Sequence, residues 1–244
     1  MCMPASFQPL AFDHFVQERI AVEDKKNAGL LGPWTSDWIL QQDCIGNIDR
    51  SRDLNSRDLF DAASTLEASD QVRLSLAHRF TQSRPGNPQS FCMQFADLCE
   101  VIKSCKCGTT YQPQLSRCEI SVCIDCVVED IMGHAPFECI DACSDFIASR
   151  IVVVLGRRNK PRFHSTEVAK DICQFTLTSH FIIDKSWCSL GPGARRGLKL
   201  VQRETDRGKC TSFELAAELK LHQKDIEHAL CEYSKYFLCL INSF

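Results

Sequence analysis

No stretch of 18 apolar residues occurs in this 244-residue sequence, so nothing in it reads as a membrane-spanning helix. Its opening, Met1-Cys-Met-Pro-Ala-Ser-Phe7, has no basic cluster leading into an apolar run, so no secretory signal is visible. The expected setting is therefore cytoplasmic, or nuclear in a eukaryote, and not secreted. Several catalytic signatures are also missing. There is no Gly-x-x-x-x-Gly-Lys-Ser/Thr loop, which excludes a P-loop kinase for this chain alone. His-Glu-x-x-His, Gly-x-Ser-x-Gly and Gly-x-Gly-x-x-Gly are absent as well. A net charge of -3 argues against a surface coated all over for nucleic acid, yet it allows a focused basic cleft.

Cysteine is plentiful, at sixteen residues. Without a signal and at this length, a secreted disulfide scaffold is not expected, and reduced thiols are the default. Nine of the sixteen fall between Cys92 and Cys143. Tetrahedral zinc takes four thiolate or imidazole ligands, often from paired cysteines on a turn. Cys123-x-x-Cys126 has that spacing, whereas Cys105-x-Cys107 is one residue short. Two readings stay open: a zinc site at Cys105, Cys107, Cys123 and Cys126, or packed thiols with no metal, the second being preferred. No other cofactor is indicated.

The remaining patterns are helical. Phe12, Phe15, Val16, Ile20 and Val22 form an apolar stripe, with Glu18, Arg19, Glu23, Asp24, Lys25 and Lys26 assigned to the polar side. That run stops at Asn27-Ala-Gly29, and a second helix follows Gly32-Pro33 with Thr35 as its candidate N-cap. Residues 59–80 read as a helix, and 82–88 as a break. Val122–Val128 reads as buried helix or strand, and Ile151–Leu155 as a short buried segment before the basic loop Gly156–Arg162. Thr211-Ser-Phe-Glu214 has capping-box spacing. After it, Ile226, Ala229, Leu230, Tyr233 and Phe237 make a core stripe, while Glu227, Cys231 and Lys235 share another face. That face fits either an active-site wall or a plain i,i+4 ion-pair surface. The chain is read as one helical domain over residues 1–244, with the Cys-rich centre, 92–143, as a candidate insertion.

The stretch around Gly191-Pro-Gly193-Ala-Arg195-Arg196-Gly197 stands apart. Between Trp187 and Lys209 there are six Lys/Arg against two Asp/Glu. A Gly-Pro-Gly turn opening a helix with two arginines beside its unpaired N–H groups suits an anion such as phosphate. A solvated turn before a surface helix is the plainer alternative.

Two sets of residues carry a resemblance. At the front stands Phe15…Glu18-Arg19-Ile20…Gly29…Pro33-Trp34-Thr35…Asp37…Ile39-Leu40…Asn47…Arg50…Asp53…Ser56. At the back, Gly191–Gly197 and Glu227-x-x-Leu-Cys-Glu-x-x-Lys-Tyr236 recur in order, with Glu167–Ile172 between. Together they resemble the helical domain of 5-hydroxymethyl-deoxyuridine DNA kinases and the related glutamyl/putrescinyl-thymine pyrophosphorylases. The resemblance implies a mainly α fold like that of the helix-hairpin-helix DNA glycosylases. It also implies action on DNA containing modified thymine, replacing an activated 5-hydroxymethyluracil substituent with an amino compound. A separate DNA base kinase is the implied partner, and no membrane is involved. On this reading Arg195, Asp53, Asp37, Glu232 and Lys235 are the candidate catalytic residues. Gly191, Gly193, Arg196, Lys199, Arg50 and Trp34 are the candidates for holding DNA or phosphate. The N-terminal and C-terminal motifs are expected to converge on one cleft. A non-catalytic module binding modified DNA or a kinase, and a base-excising glycosylase, are the alternatives.

Overall fold

A computed structural model describes residues 9–42, 45–46, 48, 59–61, 63–81, 117–156, 158–186, 188–204 and 210–242. In chain order they form helix α1 (Phe12–Asn27), a 3-10 turn (Trp38–Gln41), α2 (Ala68–Thr81), α3 (Arg117–His134), strand β1 (Phe137–Cys139), α4 (Ile140–Leu155) and α5 (Arg162–Ile172). A second 3-10 turn (Ser179–Phe181), β2 (Ile182–Asp184), α6 (Pro192–Glu204), α7 (Ser212–Leu219) and α8 (Gln223–Asn242) complete the order. The protein is mainly helical, as the periodicities predict. Its chain forms two compact units, one from residues 1–56 with 188–244 and one from 57–187.

The first unit is built from the two ends of the chain. Phe12, Phe15 and Val16 of α1 meet Ala229, Leu230, Tyr233 and Tyr236 of α8, and Ile39, Leu40 and Ile45 join the same core. Edge-on and tilted ring pairs hold the centre, with Phe12 and Phe15 each 5.1 Å from Tyr233. Such arrangements favour aromatic rings electrostatically in addition to the area they bury. The expected capping box is present at α7: the Thr211 hydroxyl accepts from the Glu214 N–H, and the Glu214 carboxylate accepts from the Thr211 N–H. The expected cap at Thr35 is not. Asp37 caps the 3-10 turn instead, its Oδ1 accepting from the Ile39 N–H at 2.9 Å, while the Thr35 hydroxyl is directed to Glu18. Asp37 is the residue adjoining the first turn, so its shorter reach wins.

The second unit packs α2 against α3 and α5, and α4 against α3 and α5. β1 and β2 pair in parallel, Phe137 with Ile182 and Cys139 with Asp184. Three residues per strand are too few to leave a period-two pattern in sequence. Val122–Val128 falls within α3, so that segment is helix rather than strand. Ile151–Leu155 is the last turn of α4, and only Ile151 of it is buried; Val153 is 65% exposed. An apolar run at a helix end has residues on every side of the axis, so it cannot all face the core.

This unit also encloses charge. Asp171, with no exposed surface, accepts two hydrogen bonds from the Arg79 guanidinium at 2.7 Å each and a third from Ser75 at 2.7 Å. Lys170 and Glu167 are buried together as an ion pair at 3.1 Å. Buried charges persist only when paired in this way. Beside Arg79, His164 stacks on Phe80; burial first, and the Arg79 charge second, lower its pKa from 6.5 to about 4.

Candidate nucleic-acid interface

Helix α6 begins where the chain chemistry predicts. Pro192 occupies its first position, where a missing N–H costs nothing, and the Arg195 N–H closes the first turn on the Gly191 carbonyl at 2.9 Å. The three glycines then serve close approach to α8. A Cβ on Gly193 would stand 2.6 Å from Cys231 Sγ, and one on Gly197 would stand 1.9 Å from the Leu230 carbonyl oxygen. The Gly191 N–H donates to Glu227 Oε1 at 3.3 Å. A carboxylate of the protein therefore sits at the N-terminus of α6, where the free N–H groups and the helix dipole favour negative charge.

With Ala194, Gly197 and Val201 turned inward, the opposite side of α6 carries Arg195, Arg196, Lys199 and Arg203, all exposed. Arg195, Lys199 and Arg203 follow each other at i, i+4 and i+8, a line about 12 Å long at 1.5 Å rise per residue. None of the three makes an ion pair among the described residues. Arg196 donates from Nε to Ser234 Oγ at 3.4 Å, which orients it toward α8.

Two of the three candidate catalytic carboxylates lie elsewhere in the same unit and are occupied. Asp37 Oδ2 accepts the Tyr236 hydroxyl at 2.8 Å, while its Oδ1 holds the Ile39 N–H. Glu232 accepts the Gly46 N–H at 2.6 Å on Oε2 and the Lys235 ammonium at 2.6 Å on Oε1. Glu232 and Tyr236 are one turn apart on α8, so this helix touches the N-terminal segment at both Gly46 and Asp37. Trp34 is half-buried; its Nε1 donates to the Leu30 carbonyl at 2.8 Å, and Lys26 lies over its ring. Arg50 and Asp53 lie outside the described residues.

Sequence reasoning missed a central node. Arg19, assigned to the polar side of α1, is 3% exposed. It donates to the Gly46 carbonyl at 3.1 Å, the Leu40 carbonyl at 3.0 Å and Glu23 at 3.3 Å. Glu23, also assigned outward, is buried with it. The signal was available: Arg19 follows Phe12, Phe15 and Val16 at helical spacing, and a charge on an apolar stripe must find partners inside. Gly46 consequently links two charged side chains, accepting from Arg19 and donating to Glu232. Arg203, which completes the line on α6, was likewise not singled out.

Of the candidate zinc ligands, Cys105 and Cys107 lie outside the described residues. Cys123 and Cys126 share helix α3, the first buried and the second exposed. Among the described residues, no three His, Cys, Asp or Glu side chains are placed to hold a metal. Burial, then the neighbouring Cys173 and Cys139, push the Cys143 thiol well above its ordinary value, as suits a packed thiol.

Fold and surface together define a mainly helical protein with an exposed cationic helix in the unit made from both chain ends. Residues 9–75 match the model of the family described as 5-hmdU DNA kinase, helical domain, which supports that family at the level of the domain. The match spans less than a third of the chain. It includes α1, Arg19, Asp37 and Gly46 and runs into α2. No curated protein and no solved structure matches the chain. No described helix is long and apolar enough to cross a membrane.

Proposed function

We propose that this chain binds DNA carrying 5-hydroxymethyluracil and takes part in modifying that base, with α6 laid against the phosphate backbone. The observation that carries the reading is the line Arg195, Lys199 and Arg203: three exposed cations with no ion pair among the described residues, in a chain of net charge -3. Cations so placed release counterions from DNA, so affinity falls with salt at about 0.9 log units per neutralised phosphate. The family match at residues 9–75 supports the choice of DNA and of this base. The test is binding of duplexes with thymine or 5-hydroxymethyluracil over a salt series. Tighter binding to the modified duplex, with a slope that drops on substituting α6 cations, supports the reading. No DNA binding at low salt refutes it.

A finer reading, transfer of an amino compound onto an activated 5-hydroxymethyl group, draws on exposed Arg195 at the start of α6 and on the Glu232–Lys235 pair of α8. The amine nitrogen would attack the methylene carbon while the carbon–oxygen bond to phosphate or pyrophosphate breaks. The leaving group departs with the bonding electrons, and a carboxylate takes the ammonium proton. Arg195 would meet the departing anion, where negative charge accumulates. Asp37 and Glu232 each already hold two donors, so the reading rests on Arg195 at the leaving group rather than on either carboxylate. Activation would fall to a separate kinase. Nucleoside mass spectrometry, after incubating phosphorylated or pyrophosphorylated hydroxymethyluracil DNA with amines, tests transfer. Release of free base or an abasic site would instead identify excision by a glycosylase-like fold.

A further inference from the structure

The turn after α1 presents two leucines to solvent on a braced support. Gly29 adopts φ +71°, the Leu30 N–H reaches back to the Lys25 carbonyl and the Gly29 N–H to that of Lys26. In this type of helix ending the residue at the Leu30 position commonly packs on the side chain one turn back. Here that side chain is Lys25, with Asp24 before it, so Leu30 is left 56% exposed and Leu31, at the tip, 95% exposed. The turn is nonetheless held. Trp34 Nε1 donates to the Leu30 carbonyl at 2.8 Å, Lys25 Nζ donates to the Trp34 carbonyl at 2.6 Å, and the Trp34 N–H donates to Gln41 Oε1 at 3.2 Å. Lys26 lies 4.9 Å from the Trp34 ring centre.

We infer that Leu30 and Leu31 form a wedge that enters a base step of duplex DNA, with Lys25 and Lys26 at its base beside the phosphates. This rests on the DNA-binding reading. Chemistry on a base requires the base to leave the stack, and apolar side chains inserted between steps commonly open it. A wedge must be stiff to unstack bases, and the bonds from Trp34 and Lys25 stiffen this one. Two exposed leucines on one turn are too small a face for a stable protein interface, which needs a far broader one. Lysines at the base of the tip complement a polyanion. The same residues fall within the segment that matches a DNA base-modifying family.

The test uses the full chain and short duplexes containing 5-hydroxymethyluracil, with 2-aminopurine replacing each adenine in turn. Binding should raise 2-aminopurine fluorescence several-fold at one step. Leu30→Ala with Leu31→Ala, both at exposed positions, should abolish the rise and leave the salt slope of binding unchanged. Leu31→Phe should keep it. Lys199→Ala should do the reverse, lowering the salt slope while the rise per bound complex persists. Binding without any rise, or a rise that survives the double alanine variant, overturns the wedge and spares the DNA-binding reading. Absence of DNA binding overturns both. Sedimentation with phosphatidylserine vesicles, or a concentration-dependent dimer, that disappears with the double variant would reassign the leucines to a membrane or to a second copy of the chain.

Discussion

Tyr236 donates its hydroxyl proton to Asp37 Oδ2 at 2.8 Å, joining residues 199 positions apart. The Tyr236 hydroxyl oxygen in turn accepts the Leu10 N–H at 3.3 Å, and one turn earlier Tyr233 donates to the Leu10 carbonyl at 2.9 Å. The last helix thereby clamps both the entrance to α1 and the cap of the first 3-10 turn. The segment matching the known helical domain therefore does not close its core by itself; α8 supplies much of it.

Tyr236→Phe should destabilise the protein by about 1–3 kcal/mol, because the buried Asp37 oxygen and the Leu10 N–H lose their partner while the ring stays. Tyr233→Phe removes one bond to a half-buried carbonyl and should cost less. Urea unfolding midpoints of the two variants provide the comparison. Equal midpoints would show that the clamp on Asp37 contributes nothing special.

The glycines of α6 make a graded prediction. Gly197→Ala forces a methyl into the Leu230 carbonyl, which cannot move without shifting α8, and should cost about 3 kcal/mol or more despite alanine's better helix propensity. Gly193→Ala meets only the Cys231 thiol, whose side chain can turn aside, so it should cost less. Adding Cys231→Ala should rescue Gly193→Ala and leave Gly197→Ala unrescued. Thermal melts of the four variants decide it; rescue of both would mean that the helices slide apart freely.

His164 predicts an acid sensitivity. Its folded pKa lies near 4 while the unfolded side chain titrates near 6.5. Between those values the unfolded chain takes up a proton that the folded chain refuses. The stability contributed by neutral His164 is thus complete above about pH 6.5 and is lost as pH falls toward 4. Urea midpoints at pH 7.5 and 4.5 should fall for the wild type and fall less for His164→Gln. Parallel losses would place the acid sensitivity elsewhere.

The cations of α6 separate binding from chemistry. Lys199→Ala and Arg203→Ala should weaken DNA binding alike on all sequences and reduce the salt slope by about one unit each. Arg195→Ala should lower amine transfer at saturating DNA by roughly 10²–10³-fold, with Arg195→Lys a poor rescue because the planar fork is lost. Rapid-quench turnover beside equilibrium binding makes the distinction. A double Arg195→Ala, Arg196→Ala variant with wild-type turnover and binding would remove the turn from the site.

Local pattern carried much of this architecture. The stripes of α1 and α8, the stop at Asn27–Gly29, the Thr211–Glu214 capping box and the start of α6 at Gly191-Pro192 are legible because each depends on residues within one or two turns. The same locality made the front of the family resemblance, Phe15 to Ser56, readable within the matched residues 9–75. What sequence could not assign was the direction of the polar groups. Arg19 and Glu23 have the composition of a surface and the positions of a core, and only the packed chain shows Gly46 and Leu40 waiting for the guanidinium. Asp37 and Glu232 read as candidate catalytic carboxylates, and Glu227 as part of an active-site wall or an ion-pair face, until Tyr236, the Gly46 N–H and the Gly191 N–H arrive from distant segments. The Gly-Pro-Gly motif reads as an anion turn, yet Gly193 and Gly197 are small because α8 lies against them. Each of these outcomes depends on which backbone approaches which side chain across tens or hundreds of residues, and helical periodicity records only that a face is covered, not what covers it.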